Sequence, residues 1–247
     1  MIEAIIYLLA IILAETVTVF VRPVLGILCH IIILATVSLR SATGLASKHH
    51  HQQLVLSLAL VPLIRIVSLS MPLLKIPQVW WYPLIYIPLL IAAIVVVRIL
   101  NYKASDVGLN FRLLPIQLIV ALSGFLFGIA EYFILSPEPI INELIWQNVW
   151  LPALLLLACT GFVEEFIFRG VLQHTALGVF GWWGIVYVSL IFAVLHAGFL
   201  SWIDVVFVFV VALFFAWVVS KTGSLFGVSL AHGITNVMLF LIAPILF

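Results

Sequence analysis

Charge is what this chain has least of. Lysine, arginine, aspartate and glutamate together make 8% of its 247 residues, while hydrophobic residues make 66%. A soluble core does not need that much apolar residue, and a soluble surface needs far more charge. The net charge is +1 and no basic run occurs, so nothing here builds a nucleic-acid surface. Two cysteines, Cys29 and Cys159, both inside apolar blocks, exclude a disulfide framework. Internal repeats and low-complexity tracts are absent, and the longest polar stretch is RSATGLASKHHHQQ, residues 40–53. The first apolar block carries Glu3 and Glu15 and lacks a basic leader, so it does not read as a cleaved signal peptide.

What is there is a series of long apolar blocks: 2–20, 24–39, 54–74, 79–100, 113–135, 144–172, 182–200, 202–219 and 224–247. Each approaches the ~17–25 residues that carry a helix across a hydrocarbon core. Backbone groups in lipid must bond internally, which continuous helices achieve. The expected fold is all-α, a polytopic transmembrane bundle of about eight or nine spans. The lower count applies if 2–39, broken at Arg22-Pro23, is not two full spans. Membrane lipids are therefore the expected surroundings. Tryptophans 80, 81, 146, 150, 182, 183 and 202 fall at block ends, where an aromatic belt sits.

With nine spans and the N-terminus inside, the inner connections hold Arg40, Lys48, Arg98, Lys103, Arg112, Arg169 and Lys221. The outer ones hold Arg22 and Lys75, together with the acidic SPEPIINELIWQN. The positive-inside rule then favours N-in.

Against this background three polar clusters stand out: Glu164-Glu165-x-x-x-Arg169, Phe192-x-x-x-His196 and His232-x-x-x-Asn236. A charged group at membrane depth costs about 2.5–3.5 kcal/mol on insertion scales and usually faces a bundle interior or a wet cavity. Glu165 and Arg169 are four apart with the acid first, which suits an ion pair on one helix face. Glu164 points about 100° away and is free for another partner. His232 and Asn236, also four apart, can present two hydrogen-bonding groups to one point. Taking residues near 172 and 224 as inner helix ends, Glu164 and His232 lie at matching depth, roughly 12 Å in. A single constellation on the inner side of the membrane is the expectation. A structural ion pair, interhelical histidine bonds or a proton relay are the competing readings of the same residues. The His49–His51 tract reads as a solvated loop, and His30 and Arg65 have no evident role beyond a pairing of Arg65 with Glu15 or Glu131.

The ordered set EExxxR, FxxxH and HxxxN, with 31 residues from Glu165 to His196 and 36 from His196 to His232, resembles the CPBP family. These are CAAX prenyl proteases and bacteriocin-processing or immunity (Abi) membrane proteins. DVGLNFR, before the fifth block, is similar to a turn that precedes the family's core. The resemblance divides the chain into 1–112, transmembrane helices of unknown role, and 113–247, a CPBP-like catalytic core with its motifs within 164–236. It implies an intramembrane glutamate-dependent endopeptidase. Glu164 would activate water, His196 would help hold it, and His232 and Asn236 would steady the oxyanion. Glu165, Arg169 and Phe192 would support them. No metal cofactor is favoured, because His-Glu-x-x-His is absent; Glu164, His196 and His232 would be the ligands if zinc were used. The implied partner is a peptide or a lipidated, membrane-associated protein. The expected location is the cell membrane of a prokaryote, with the site opening to the cytoplasm. A non-catalytic scaffold or immunity protein of the same fold, or a proton-coupled transporter, is the alternative.

Overall fold

The computed structural model describes residues 1–43, 49–73 and 75–247, and among these there is helix and turn but no strand. Among the described residues eight helices are long and apolar enough to cross a membrane: α1 (Ile2–Phe20), α2 (Pro23–Ala42), α3 (His50–Ser70), α4 (Gln78–Ile99), α5 (Leu114–Leu135), α6 (Trp146–Phe180), α8 (Trp202–Thr222) and α9 (Phe226–Leu246). A shorter apolar helix, α7 (Trp183–Phe199), lies between α6 and α8. The protein is an integral membrane helix bundle, and each expected block forms a helix. Trp146, Trp182, Trp183 and Trp202 are exposed at helix ends, where an aromatic belt requires them.

Helix boundaries differ from the expected ones at polar residues. His50 and His51 open α3 instead of lying in a solvated tract, and His51 bonds Glu3 at 2.7 Å. The rest of that tract, 44–48, lies outside the described residues. α6 does not end near residue 172 but runs on to Phe180. Its 35 residues would measure about 52 Å as α-helix against a hydrocarbon core of ~30 Å. It is not α-helical throughout. Leu156–Glu164 and Phe166–Leu172 are π-helical, a winding that recurs at functional sites.

Glycines let the core helices approach backbone to backbone. A methyl group on Gly128 of α5 would lie 2.6 Å from the Thr235 carbonyl oxygen of α9. One on Gly161 of α6 would lie 2.6 Å from that of Ser229. Small residues at such crossings are how helices associate in lipid. They bring α5 and α6 against opposite sides of α9, at the level of His232.

The first three helices are clasped by one buried cluster. Glu15 of α1 accepts from Arg65 of α3 at 2.5 and 2.7 Å and from His30 of α2 at 2.9 Å. This assigns His30 and Arg65, and it selects Glu15 over Glu131 as the arginine's partner.

The bundle has two unlike ends. At one, Leu225 N–H donates to Gly108 (2.9 Å), Asn110 to the Gly223 carbonyl (2.6 Å), Arg40 to Glu3 (2.9 Å) and Tyr102 to Gln53 (3.1 Å). Burial of the Tyr102 hydroxyl there pushes its pKa up to about 12. Arg40, Lys103, Arg112 and Lys221 belong to this end. The other end carries Arg22, Lys75 and the acidic connection 136–145, which is tied to α9 by Ile140 N–H donating to Phe240 (3.0 Å).

Candidate active site

The site is assembled where α6, α7 and α9 meet. Arg169 of α6 is buried and donates to Glu165 Oε1 at 2.8 Å, one turn earlier on the same helix. Its guanidinium lies 4.4 Å from the centre of the Phe192 ring of α7. Phe192 also meets Phe168 and His232 edge-on. The motif phenylalanine is thus a wall for a buried cation, an arrangement worth about 2 kcal/mol or more when desolvated. The sequence pattern puts Arg169 among the inner loop charges. The structure removes it from that count, because it is paired inside the bundle.

Glu165 Oε1 also accepts from His232 Nδ1 at 2.8 Å. One carboxylate oxygen therefore holds both a guanidinium and an imidazole, which fixes the ring of His232 and turns Nε2 outward. That Nε2 lies 3.8 Å from Glu164 Oε2. The gap exceeds a direct hydrogen bond but can be bridged by one oxygen atom. Glu164 is not left without a partner on its other side, since the Tyr86 hydroxyl of α4 donates to its Oε1.

His232 and Asn236 line the same cavity, and each also has a partner in the bundle. Asn236 Nδ2 donates to Thr160 Oγ1 at 2.8 Å, whose own hydroxyl donates to the Leu156 carbonyl at 2.6 Å. The amide keeps a second N–H. His196 Nδ1 donates to the Phe192 carbonyl at 3.0 Å, across the 3₁₀ turn 195–199 that ends α7. Its other ring nitrogen is the one left for a ligand.

Glu164, His196, His232 and Asn236 all line one cavity of about 300 Å³. Arg65, Tyr82, Tyr86, Glu131 and Thr160 complete its polar wall. A second chamber of about 30 Å³ adjoins it and shares Glu131, Phe192, His196, His232 and Asn236. That volume holds about two waters. Of these added groups, Tyr82 and Tyr86 left a signal in the sequence: two tyrosines four apart, inside an apolar helix and inward of the interfacial belt.

The cavity runs from Glu164 and His232 at mid-bundle to the helix-end residues Ser68, Gln78 and Phe199. Those belong to the end with the acidic connection 136–145. The expected pairing of a cytoplasmic cavity with an external 136–148 loop therefore fails, because cavity and loop share an end. The physical reason is the course of α6. The apolar pattern puts the inner end near residue 172, whereas Phe180 is the helix end, sixteen residues beyond Glu164. With Arg169 removed, loop charges still favour the basic end inside.

Among the described residues no group of three or more His, Cys, Asp or Glu side chains is arranged to hold a metal ion. Glu164, His196 and His232, the set named for zinc, do not form such a group.

Residues 145–238 match the family model described as type II CAAX prenyl endopeptidase Rce1-like. The resemblance read from the three motifs is borne out over that segment, less than half of the chain. No curated protein and no solved structure matches the chain.

Proposed function

We propose that the protein is a membrane-embedded endopeptidase that hydrolyses a peptide bond of a membrane-associated protein with water activated by Glu164. One observation carries this reading: Glu164, His196, His232 and Asn236, from three helices, line a single cavity with Glu164 Oε2 and His232 Nε2 3.8 Å apart. That spacing admits one reacting oxygen. Water in it donates to Glu164 Oε2 and gives up its proton as its oxygen attacks the amide carbon. The developing oxyanion needs donors in a water-poor pocket, where each is worth most. His232 Nε2 and the second N–H of Asn236 are in the cavity wall for this purpose, and His196 steadies the water. For Nε2 to donate, the ring must carry both protons, because its Nδ1–H is already given to Glu165. Glu164 then passes its proton to the leaving amine, so no proton is gained or lost over the cycle. No step is routed through a metal.

The family match supports a protease of this class in general. The host membrane we propose is the cell membrane of a prokaryote. The test is a proteomic comparison of membranes carrying the wild type or Glu164→Ala. Peptides that appear only with the wild type, ending at a common sequence pattern, support the reading. Identical peptide sets, with both proteins present at equal level, contradict it.

A further inference from the structure

We infer that Tyr86 is a positioning residue for Glu164, so that α4, outside the family-matched segment 145–238, supplies part of the site's working geometry. The inference rests on the protease reading above. Tyr86 lies about a third of the way along α4 from Gln78, inward of the aromatic belt, and its hydroxyl donates to Glu164 Oε1. It lines the same cavity as His232 and Asn236.

A carboxylate on a flexible glutamate side chain can turn either oxygen toward water. Here the two oxygens have different neighbours. Oε1 accepts from Tyr86, and Oε2 faces His232 Nε2. His232 is itself fixed from behind by Glu165. The tyrosine therefore decides which oxygen is the base and holds it at a constant distance from the imidazole. Catalysis is sensitive to such placement, because a reacting group misplaced by about 1 Å costs about 100-fold. A hydroxyl bound to a charged carboxylate is also a stronger contact than one between neutral groups.

A merely structural tyrosine makes a different prediction, and the molecule holds one for comparison. Tyr187 donates to the Ala4 carbonyl at 2.9 Å, far from the site, and its removal costs packing and a buried hydrogen bond only. The experiment compares Tyr86→Phe with Tyr187→Phe in purified protein, by steady-state kinetics and by melting, each also combined with Glu164→Ala. For Tyr86→Phe, kcat falls about tenfold or more, with KM within about twofold of wild type. The acidic limb of its pH–rate profile moves to higher pH, because the carboxylate has lost a donor. Its melting loss is non-additive with that of Glu164→Ala, since each removes one side of the same contact. Tyr187→Phe lowers the melting temperature additively and leaves kcat and the pH profile alone.

A Tyr86→Phe variant with wild-type kcat and pH profile overturns the positioning role even if the melting losses couple. Additive melting losses overturn the contact itself. A wild type inert on every peptide retires the protease reading and the positioning role together, and the melting cycle still reports whether the pair exists.

Discussion

His232 Nδ1 and Arg169 Nη1 both donate to the same oxygen, Oε1 of Glu165, each at 2.8 Å. Glu165, the second acid of the motif, is the hub of the site, and Glu164 is the acid left facing the cavity. The division of labour between two adjacent glutamates follows from which partner each one meets.

Arg169→Ala strands Glu165 at membrane depth with only an imidazole beside it, and it empties the face of Phe192. Breaking one side of a buried pair costs about 3–5 kcal/mol. The variant is expected to lose yield and to melt well below the wild type. A melting curve in detergent checks this, and an unchanged melting temperature would show that the pair does not hold the bundle.

Asn236→Ala is expected to separate activity from stability. It removes one hydrogen bond, to Thr160, whose hydroxyl still donates to Leu156, so the stability loss is ~1 kcal/mol. If the amide serves the oxyanion, turnover slows by ~10²–10³-fold. Kinetics and melting on the same preparation read both numbers, and equal turnover would remove Asn236 from the oxyanion site.

The clasp of Glu15, His30 and Arg65 gives the N-terminal helices a measurable tie. Glu15 is 1% exposed and holds the guanidinium of Arg65 with two hydrogen bonds. Glu15→Ala is expected to cost about 3–5 kcal/mol and to loosen α3. Because Arg65 also lines the cavity, turnover falls as well. Limited proteolysis between α3 and α4, at the end of α3 where Arg65 lies, rising in the variant, checks the local part of this prediction.

Topology gives a prediction that needs no activity. Single cysteines at Ser68 and at Glu138, in a chain freed of its own cysteines, are expected to react with an impermeant thiol reagent from the same face of the membrane. Labelling from opposite faces would contradict the placement of cavity and acidic loop at one end.

Much of this was legible in the residues. Among the described residues the nine apolar blocks form nine helices, because length and hydropathy leave a chain in lipid few alternatives. The Glu165–Arg169 pair follows from four-residue spacing, and the convergence of Glu164, His196, His232 and Asn236 follows from the cost of leaving such groups in lipid. What was not legible depends on contacts between distant segments or on helix winding. Tyr86 meets Glu164 across 78 residues, a relation no local pattern encodes. The π-helical stretches of α6 and its extension to Phe180 replace the simple depth arithmetic that set the cavity on the wrong side of the acidic loop. Thr160 captures the Asn236 amide because the glycines on either side of α9 set how closely three helices approach.

The central claim is that Glu164 is the base, and Glu164→Gln tests it most directly. Glutamine keeps the size and accepts from Tyr86 but cannot take a proton from water. The measurement is cleavage of a peptide substrate, taken from the membrane comparison, by purified wild type and variant in detergent, with a melting curve for each. Both proteins are expected to melt alike, and the variant to cleave ~10²–10⁴-fold more slowly. Cleavage by Glu164→Gln at the wild-type rate would contradict it.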